Sequence, residues 1–250
     1  RLKRLEKAME RTPHEKEFRE LTEAKDGEVR IKDMPPLLYH FEGKRQELFL
    51  EQVTKAYQRY YDLLPDDRKI LLKQYKIQDA AMKIVGVGSV GTWCGIVLLL
   101  SESGDAIFLQ FKEANKSVLE PYAGDSPYEN HAQRVVEGQR LMQSASDIFL
   151  GWTTNDAGQD FYIRQLRDAK IKPNLELMDA KSFSAYAATC GRALSQAHAR
   201  SGVAAAIAGY MGQSSKFVEA IVDFAKGYEK HNRKTFEQFM TAVGEKKVTE

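Results

Sequence analysis

Residues 83–100 read KIVGVGSVGTWCGIVLLL, and after a turn at 101–105 the chain continues AIFLQFKEA. β-Branched and aromatic runs of this kind predict strands, and clustered glycines predict loops. The block is therefore expected to fold as strand, glycine loop, strand, turn and strand, which puts a small antiparallel sheet in the middle of the chain. Residues 160–166, DFYIRQL, read as a further strand.

Helices are expected on both sides. Phe49, Val53, Tyr57, Tyr60 and Leu64 recur at helical spacing and predict an amphipathic helix over 46–64, which Pro65 stops. Asp66 opens a second helix that reaches about Tyr75, with Ile70, Leu71 and Gln74 on neighbouring turns. Residues 128–145 predict a helix with Val135, Gly138, Leu141, Met142 and Ala145 on one side. Asp179 caps a helix whose stripe runs Phe183, Tyr186, Ala187, Cys190, Ala193, Leu194 and Ala197, and residues 214–240 repeat the pattern with Phe217, Ile221, Phe224, Tyr228, Thr235 and Phe239. Residues 1–34 carry both signs of charge and few large apolar side chains, so they are expected as a solvated helix or arm that Pro35 and Pro36 end. The reading is α+β, in segments 1–80 (charged and amphipathic helices), 81–168 (glycine-loop sheet with one packed helix) and 169–250 (helical).

Composition narrows the classes. Thirty-seven basic and 35 acidic side chains leave a net charge of +2, which gives no reason to expect nucleic acid or an anionic membrane as the main partner. No run approaches the roughly 18 apolar residues of a membrane span, and the N-terminus lacks the apolar region of a signal peptide. Cys94 and Cys190 lack CxxC spacing, which argues against zinc or a disulfide framework and suits the cytoplasm, with both thiols buried. The chain opens at Arg1 without methionine, so it is expected to be part of a longer polypeptide.

Gly86, Gly88 and Gly91 form a GxGxxG pattern, which alone is weak. A dinucleotide-binding unit needs a helix straight after the third glycine, whereas Thr92 onward reads as a strand. A glycine loop between antiparallel strands is instead what protein kinases use to cover nucleotide phosphates; the competing reading is a glycine-rich hairpin without a ligand. Gly86, Gly88, Ser89 and Gly91 are the expected phosphate-covering residues. Lys112, on the third strand, is where a kinase-like fold puts the lysine that pairs with phosphates. Glu137 is expected to orient Lys112, with Glu129 second, and Glu113 is expected as a solvated neighbour. His131 and Arg134 are expected at the core edge, with an anion in the cleft as the alternative. Arg164, Arg167 and Asp168 are expected as ordinary surface, and His198 as a helix-end histidine.

KIVGVGSVGTWCGIVLL, FLQFKEANKSVLEPY, HAQRVVEGQRLMQSASDIFLGW, DFYIRQLRD and AYAATCGRALSQAHARSG together resemble the C-terminal portion of the bacterial family called domain of unknown function 2252, from roughly Pro35 to the end. That family is distantly similar to the protein-kinase-like superfamily. The resemblance implies a kinase-like middle in permuted order: longer members carry a GDxHxxNF block and an acidic block, similar to the catalytic and metal-binding loops of aminoglycoside-type kinases, before the region matched here. This sequence contains neither. It also has Val203 where the family usually has Asp. The expected function is the nucleotide-binding portion of a kinase-like phosphotransferase using ATP and magnesium, its phosphate acceptor unnamed. The alternative is a non-catalytic, pseudokinase-like binding or regulatory module.

Overall fold

The computed structural model describes residues 18, 20–25, 28–86, 91–166 and 173–245. The chain divides into two compact units, Arg1–Ala193 and Leu194–Glu250. The first is built on antiparallel sheets. Strands β1 (Thr22–Lys25) and β2 (Glu28–Ile31) form a two-stranded ribbon. Strands β3 (Leu38–Tyr39), β4 (Tyr75–Lys83), β5 (Cys94–Ser101), β6 (Ala106–Glu113), β7 (Gly151–Thr154) and β8 (Asp160–Gln165) form a second sheet in the order β3-β4-β5-β6-β8-β7. Helix α1 (Lys44–Leu63) and helix α2 (Asp66–Leu72) lie between β3 and β4 in sequence; the short α3 (Glu120–Ala123) and α4 (His131–Met142) lie between β6 and β7.

The fold follows from which faces the apolar residues occupy. In β5, Ile96, Val97, Leu98 and Leu99 are all buried, because both faces of the sheet are covered. Val97, Leu99, Ile107 and Leu109 pack with Phe49, Tyr60 and Leu64 from α1 and its C-cap. Ile96, Leu98 and Phe108 pack on the other face with Leu21 and Ile31 of the ribbon segment. The α1 stripe thus lies as its spacing predicts. Tyr60 is fully buried and its hydroxyl donates to the Phe149 carbonyl at 2.5 Å, while Thr153 of β7 donates to the Ala56 carbonyl at 2.8 Å. A buried carboxylate, Asp79 of β4, accepts the Ile31 N–H at 2.8 Å and the His40 Nε2 at 3.1 Å, tying the ribbon to the sheet.

Several expectations need correction. Residues 22–25 and 28–31 form the ribbon, not a solvated helix or arm: Leu21, Val29 and Ile31 supply enough apolar surface to dock on the sheet; residues 1–17, 19, 26 and 27 lie outside the described residues. The strand before the glycine loop is β4, which begins at Tyr75 and ends at Lys83, where the prediction started it. Accordingly α2 is short, and it buries Leu72 while Ile70 and Leu71 stay exposed. Strand β7 was not foreseen; at four residues it is too short to show a pattern. Helix α4 buries Ala132 and Val136, one residue round from the expected Val135 stripe, and leaves Leu141 and Met142 exposed.

Helix α5 (Ala180–Ser201) begins where Asp179 accepts the Ser182 N–H at 2.7 Å. Its Phe183 and Tyr186 are exposed, and so is Cys190, so only Cys94 of the two thiols is buried. The second unit contains α6 (Ala204–Met211), also not foreseen, and α7 (Lys216–Gly244), which starts two residues later and ends four residues later than predicted, with Ile221, Phe224, Tyr228 and Phe239 exposed. Val203 is the exposed N-cap of α6. No helix among the described residues is long and apolar enough to cross a membrane.

Candidate functional site

The loop between β4 and β5 carries the glycine pattern. Gly86 and Gly91 have φ of 154° and 78°, backbone that side chains rarely adopt, and a Cβ at either would meet nothing within 4 Å. The conformation, rather than crowding, calls for glycine there. Gly88 and Ser89 lie outside the described residues, as do Arg167 and Asp168.

Lys112 stands in β6 directly opposite Cys94 of β5 on one side and Tyr162 of β8 on the other. Residues paired across strands share a face, so Lys112 is on the face that carries Phe108 and Gln110, away from α1. Tyr162 pairs in turn with Trp152 of β7. One row across the sheet therefore reads Cys94, Lys112, Tyr162, Trp152. Gln110, buried in the next row, pairs with Arg164, whose Nε and Nη2 donate to its side-chain carbonyl at 3.3 and 3.2 Å.

Positive charge converges on this face. Burial pushes the Cys94 thiol up, while the charges of Lys112, Arg164 and Lys83 pull it the other way. Burial likewise raises Tyr162, against the pull of Arg164. Arg164 is thus not ordinary surface, and Lys83 is a cation that sequence reading passed over. The lysine's position at the end of β4 is the signal: it is the last residue before the glycine loop.

The loop's exit is fastened to the strand that carries Lys112. The Glu113 N–H donates to the Trp93 carbonyl at 2.8 Å, and the Trp93 N–H donates to the Glu113 carboxylate at 2.9 Å. Gln159 donates to the same carboxylate at 3.3 Å. Glu113 is therefore a clamp and not a solvated neighbour, and it places Lys112 within two residues of the loop base on the adjoining strand.

Helix α4 starts from Asn130, which accepts the Gln133 N–H at 2.7 Å, and from Asp160, which accepts the His131 N–H at 2.8 Å. Glu137 sits on its second turn, and its ion pair is with Arg140 at 3.1 Å. Arg140 also donates to the Leu150 carbonyl at 2.7 Å and lies over the Trp152 ring. Arg134 donates to the Asn115 carbonyl at 2.9 Å. Glu137, Arg134 and Glu120 line a groove of about 690 Å³ between α4 and the 117–128 segment. His198 lies in the last turn of α5, as expected for a helix-end histidine.

The structure thus brings the loop ends, Lys112, Lys83 and Arg164 to one end and one face of the sheet. It gives Glu137 to Arg140. A strand follows Gly91, so the helix that a dinucleotide fingerprint needs after its third glycine is replaced by β5. Among the described residues no three His, Cys, Asp or Glu side chains come together to hold a metal ion.

These features define an α+β protein in which a six-stranded antiparallel sheet carries a cationic face beside a glycine loop. The model of the family described as uncharacterized protein conserved in bacteria, DUF2252, matches residues 1–242, and the chain belongs to that family. No curated protein and no solved structure matches it.

Proposed function

We propose that this chain is the nucleotide-binding portion of a kinase-like phosphotransferase, and that ATP lies against the sheet face that carries Lys112. What supports the reading above all is the convergence of Lys83, Lys112 and Arg164 around Cys94 beside the glycine loop. Three positive charges at a loop whose ends need glycine suit a polyphosphate: the cations neutralise it, and backbone N–H groups approach unhindered. The order of strand, glycine loop, strand, lysine-bearing strand and helix is the order in which a kinase N-lobe presents these parts. In this reading Gly86, Gly88, Ser89 and Gly91 cover the phosphates and Lys112 pairs with them. Lys83 and Arg164 add charge, and Glu137 would exchange Arg140 for Lys112 when nucleotide binds. ATP would arrive with magnesium as its counter-ion, supplying further charge neutralisation at the phosphates.

Thermal unfolding with and without ATP and magnesium tests it. At about a hundred times the dissociation constant, binding adds roughly 2.7 kcal/mol, or about 5–10 °C for a chain of this size. The shift is expected in the parent chain and is expected to vanish in Lys112→Met. No shift, or a shift unchanged in Lys112→Met, overturns the reading.

A second reading, a non-catalytic binding or regulatory module, is favoured by one observation: Glu137 is engaged by Arg140, which itself anchors the start of β7. Phosphate transfer from ATP by this chain, lost in Lys112→Met, would overturn that alternative.

A further inference from the structure

The two-stranded ribbon lies on the Lys112 face of the sheet, where Leu21 and Ile31 pack with Ile96, Leu98 and Phe108. Its strands are not laddered to the six-stranded sheet, and a hairpin of two four-residue strands is marginal by itself. What fastens the ribbon therefore decides whether that part of the face is covered. One fastening is the apolar packing. The other is polar and runs through a histidine. The chain leaves the ribbon at Ile31, passes Asp33, pairs β3 with β4 and reaches His40, whose ring stands between the carboxylates of Asp33 and Asp79.

The His40 Nδ1 is 2.8 Å from Asp33 Oδ1, and its Nε2 is 3.1 Å from Asp79 Oδ2 and 3.2 Å from Oδ1. Asp79 Oδ2 also accepts the Ile31 N–H, and Asp33 Oδ1 also accepts the His40 N–H, each at 2.8 Å. An ionised carboxylate only accepts, and a neutral imidazole has one N–H and one lone pair. A neutral ring in this place would hold its lone pair against one of the two carboxylates. A ring protonated on both nitrogens donates to both and sets one positive charge between two negative ones. The Asp79 side chain is 10% exposed and that of His40 18%, so water does little to replace these contacts. Among the described residues, the charges that act on the ring are those of Asp79, on β4, and Asp33, on the ribbon's exit. The Asp79 hydrogen bond raises the His40 pKa, burial opposes this, and Asp33 adds to the rise.

We propose that His40 is a proton-operated latch: the doubly protonated ring holds the ribbon on the sheet, and loss of one ring proton lets the ribbon lift and uncover Ile96, Leu98 and Phe108 while the six strands stay paired. One proton passes from the ring to water on release and returns on docking, and no other covalent bond changes. The latch is fully set below the ordinary histidine value of 6.5 and is released as pH rises through the higher docked value. Between the two, the opening constant rises by up to about tenfold for each pH unit, since one proton is involved. Ile96 pairs with Gln110 in the row beside that of Lys112, and Leu98 pairs with Phe108 in the row after it. The latch thus governs access to the part of the face that adjoins the cations, and it does not depend on what binds there.

Two measurements on the intact chain test it. Long-range ¹H–¹⁵N spectra of the histidine rings are expected to show His40 passing from two protonated nitrogens to one with a midpoint above 6.5; a midpoint at or below that value overturns the doubly protonated ring. Amide exchange, corrected for its intrinsic pH dependence, is then read at about pH 6 and about pH 8 in low urea. The Ile31 amide, which Asp79 holds, is expected to exchange through an opening more frequent than global unfolding and nearly independent of urea. That opening is expected to become several-fold more frequent at the higher pH in the parent and to be unchanged by pH in His40→Gln, which cannot titrate. Should that variant unfold, Asp33→Asn serves instead: its amide can donate to a neutral Nδ1, so most of the pH dependence is expected to disappear. An Ile31 amide that exchanges only with β5 and β6, or an opening with the same pH dependence in a folded variant, overturns the latch.

Discussion

Gly95 has no room for a methyl group. A Cβ there would stand 2.6 Å from the Ala81 carbonyl oxygen and against the Phe111 ring, whereas one at Gly138, inside α4, would meet nothing within 4 Å. Gly95→Ala is therefore expected to cost about 1–3 kcal/mol by overpacking, and Gly138→Ala to gain about 0.5–1 kcal/mol by helix propensity; urea unfolding of the two variants gives the opposite signs. His40 makes a pH-dependent contribution of definite direction. The Asp79 hydrogen bond raises its pKa, burial opposes this, and Asp33 adds to the rise, so the folded value lies above the ordinary 6.5. The stabilisation is complete below that ordinary value and is lost as pH rises through the folded one. Denaturant melts across about pH 6–8 are expected to show the parent losing stability relative to His40→Gln as pH rises; a constant difference would contradict this. The strand that carries Lys112 and the turn at Gly86 and Gly91 were legible because residue type and spacing alone mark them. Lys83, Glu113 and Arg164 were not: each owes its place to strand register, which decides face and neighbour and which one sequence does not print.

Helix α1 was readable almost to the residue because its stripe is long and its stop is a proline. The ribbon was missed although Asp26-Gly27, a strong turn dipeptide, sits between Thr22–Lys25 and Glu28–Ile31. Its strands are only four residues each, and the surrounding charges masked the alternation. The ribbon's attachment can be tested at Asp79, which holds both the Ile31 N–H and His40. Asp79→Ala is expected to speed amide exchange at Ile31 and its neighbours while residues in β5 and β6 keep their protection. Uniform loss of protection would show the ribbon and sheet to be one cooperative element. Helix α4 illustrates a different limit: the residues it buries, Ala132 and Val136, are smaller than the exposed Leu141 and Met142, so side-chain size and apolarity alone point to the wrong side.

At the scale of the molecule, helical spacing announced apolar faces on α5 and α7 but could not say whether anything covers them. Phe224 is 69% exposed and Phe239 51% exposed. Phe224→Lys is thus expected to change unfolding free energy by less than about 0.5 kcal/mol, and a loss of several kcal/mol would mean that the ring is buried in solution. The sheet order has a consequence for synthesis. Strands β4, β5 and β6 pair with their sequence neighbours and can zip together as they leave the ribosome, a route of short loops and low entropy cost. The partner of β6 on its far side, β8, is made only after α4 and β7 have been added. For the time it takes to translate those roughly fifty residues, Leu109 and Phe111 lie on an open strand edge able to recruit a neighbouring nascent chain. The β7–β8 hairpin is then less a late ornament of the sheet than its lock, and slow translation between residues 114 and 165 is the stage at which this chain is most exposed to misassembly.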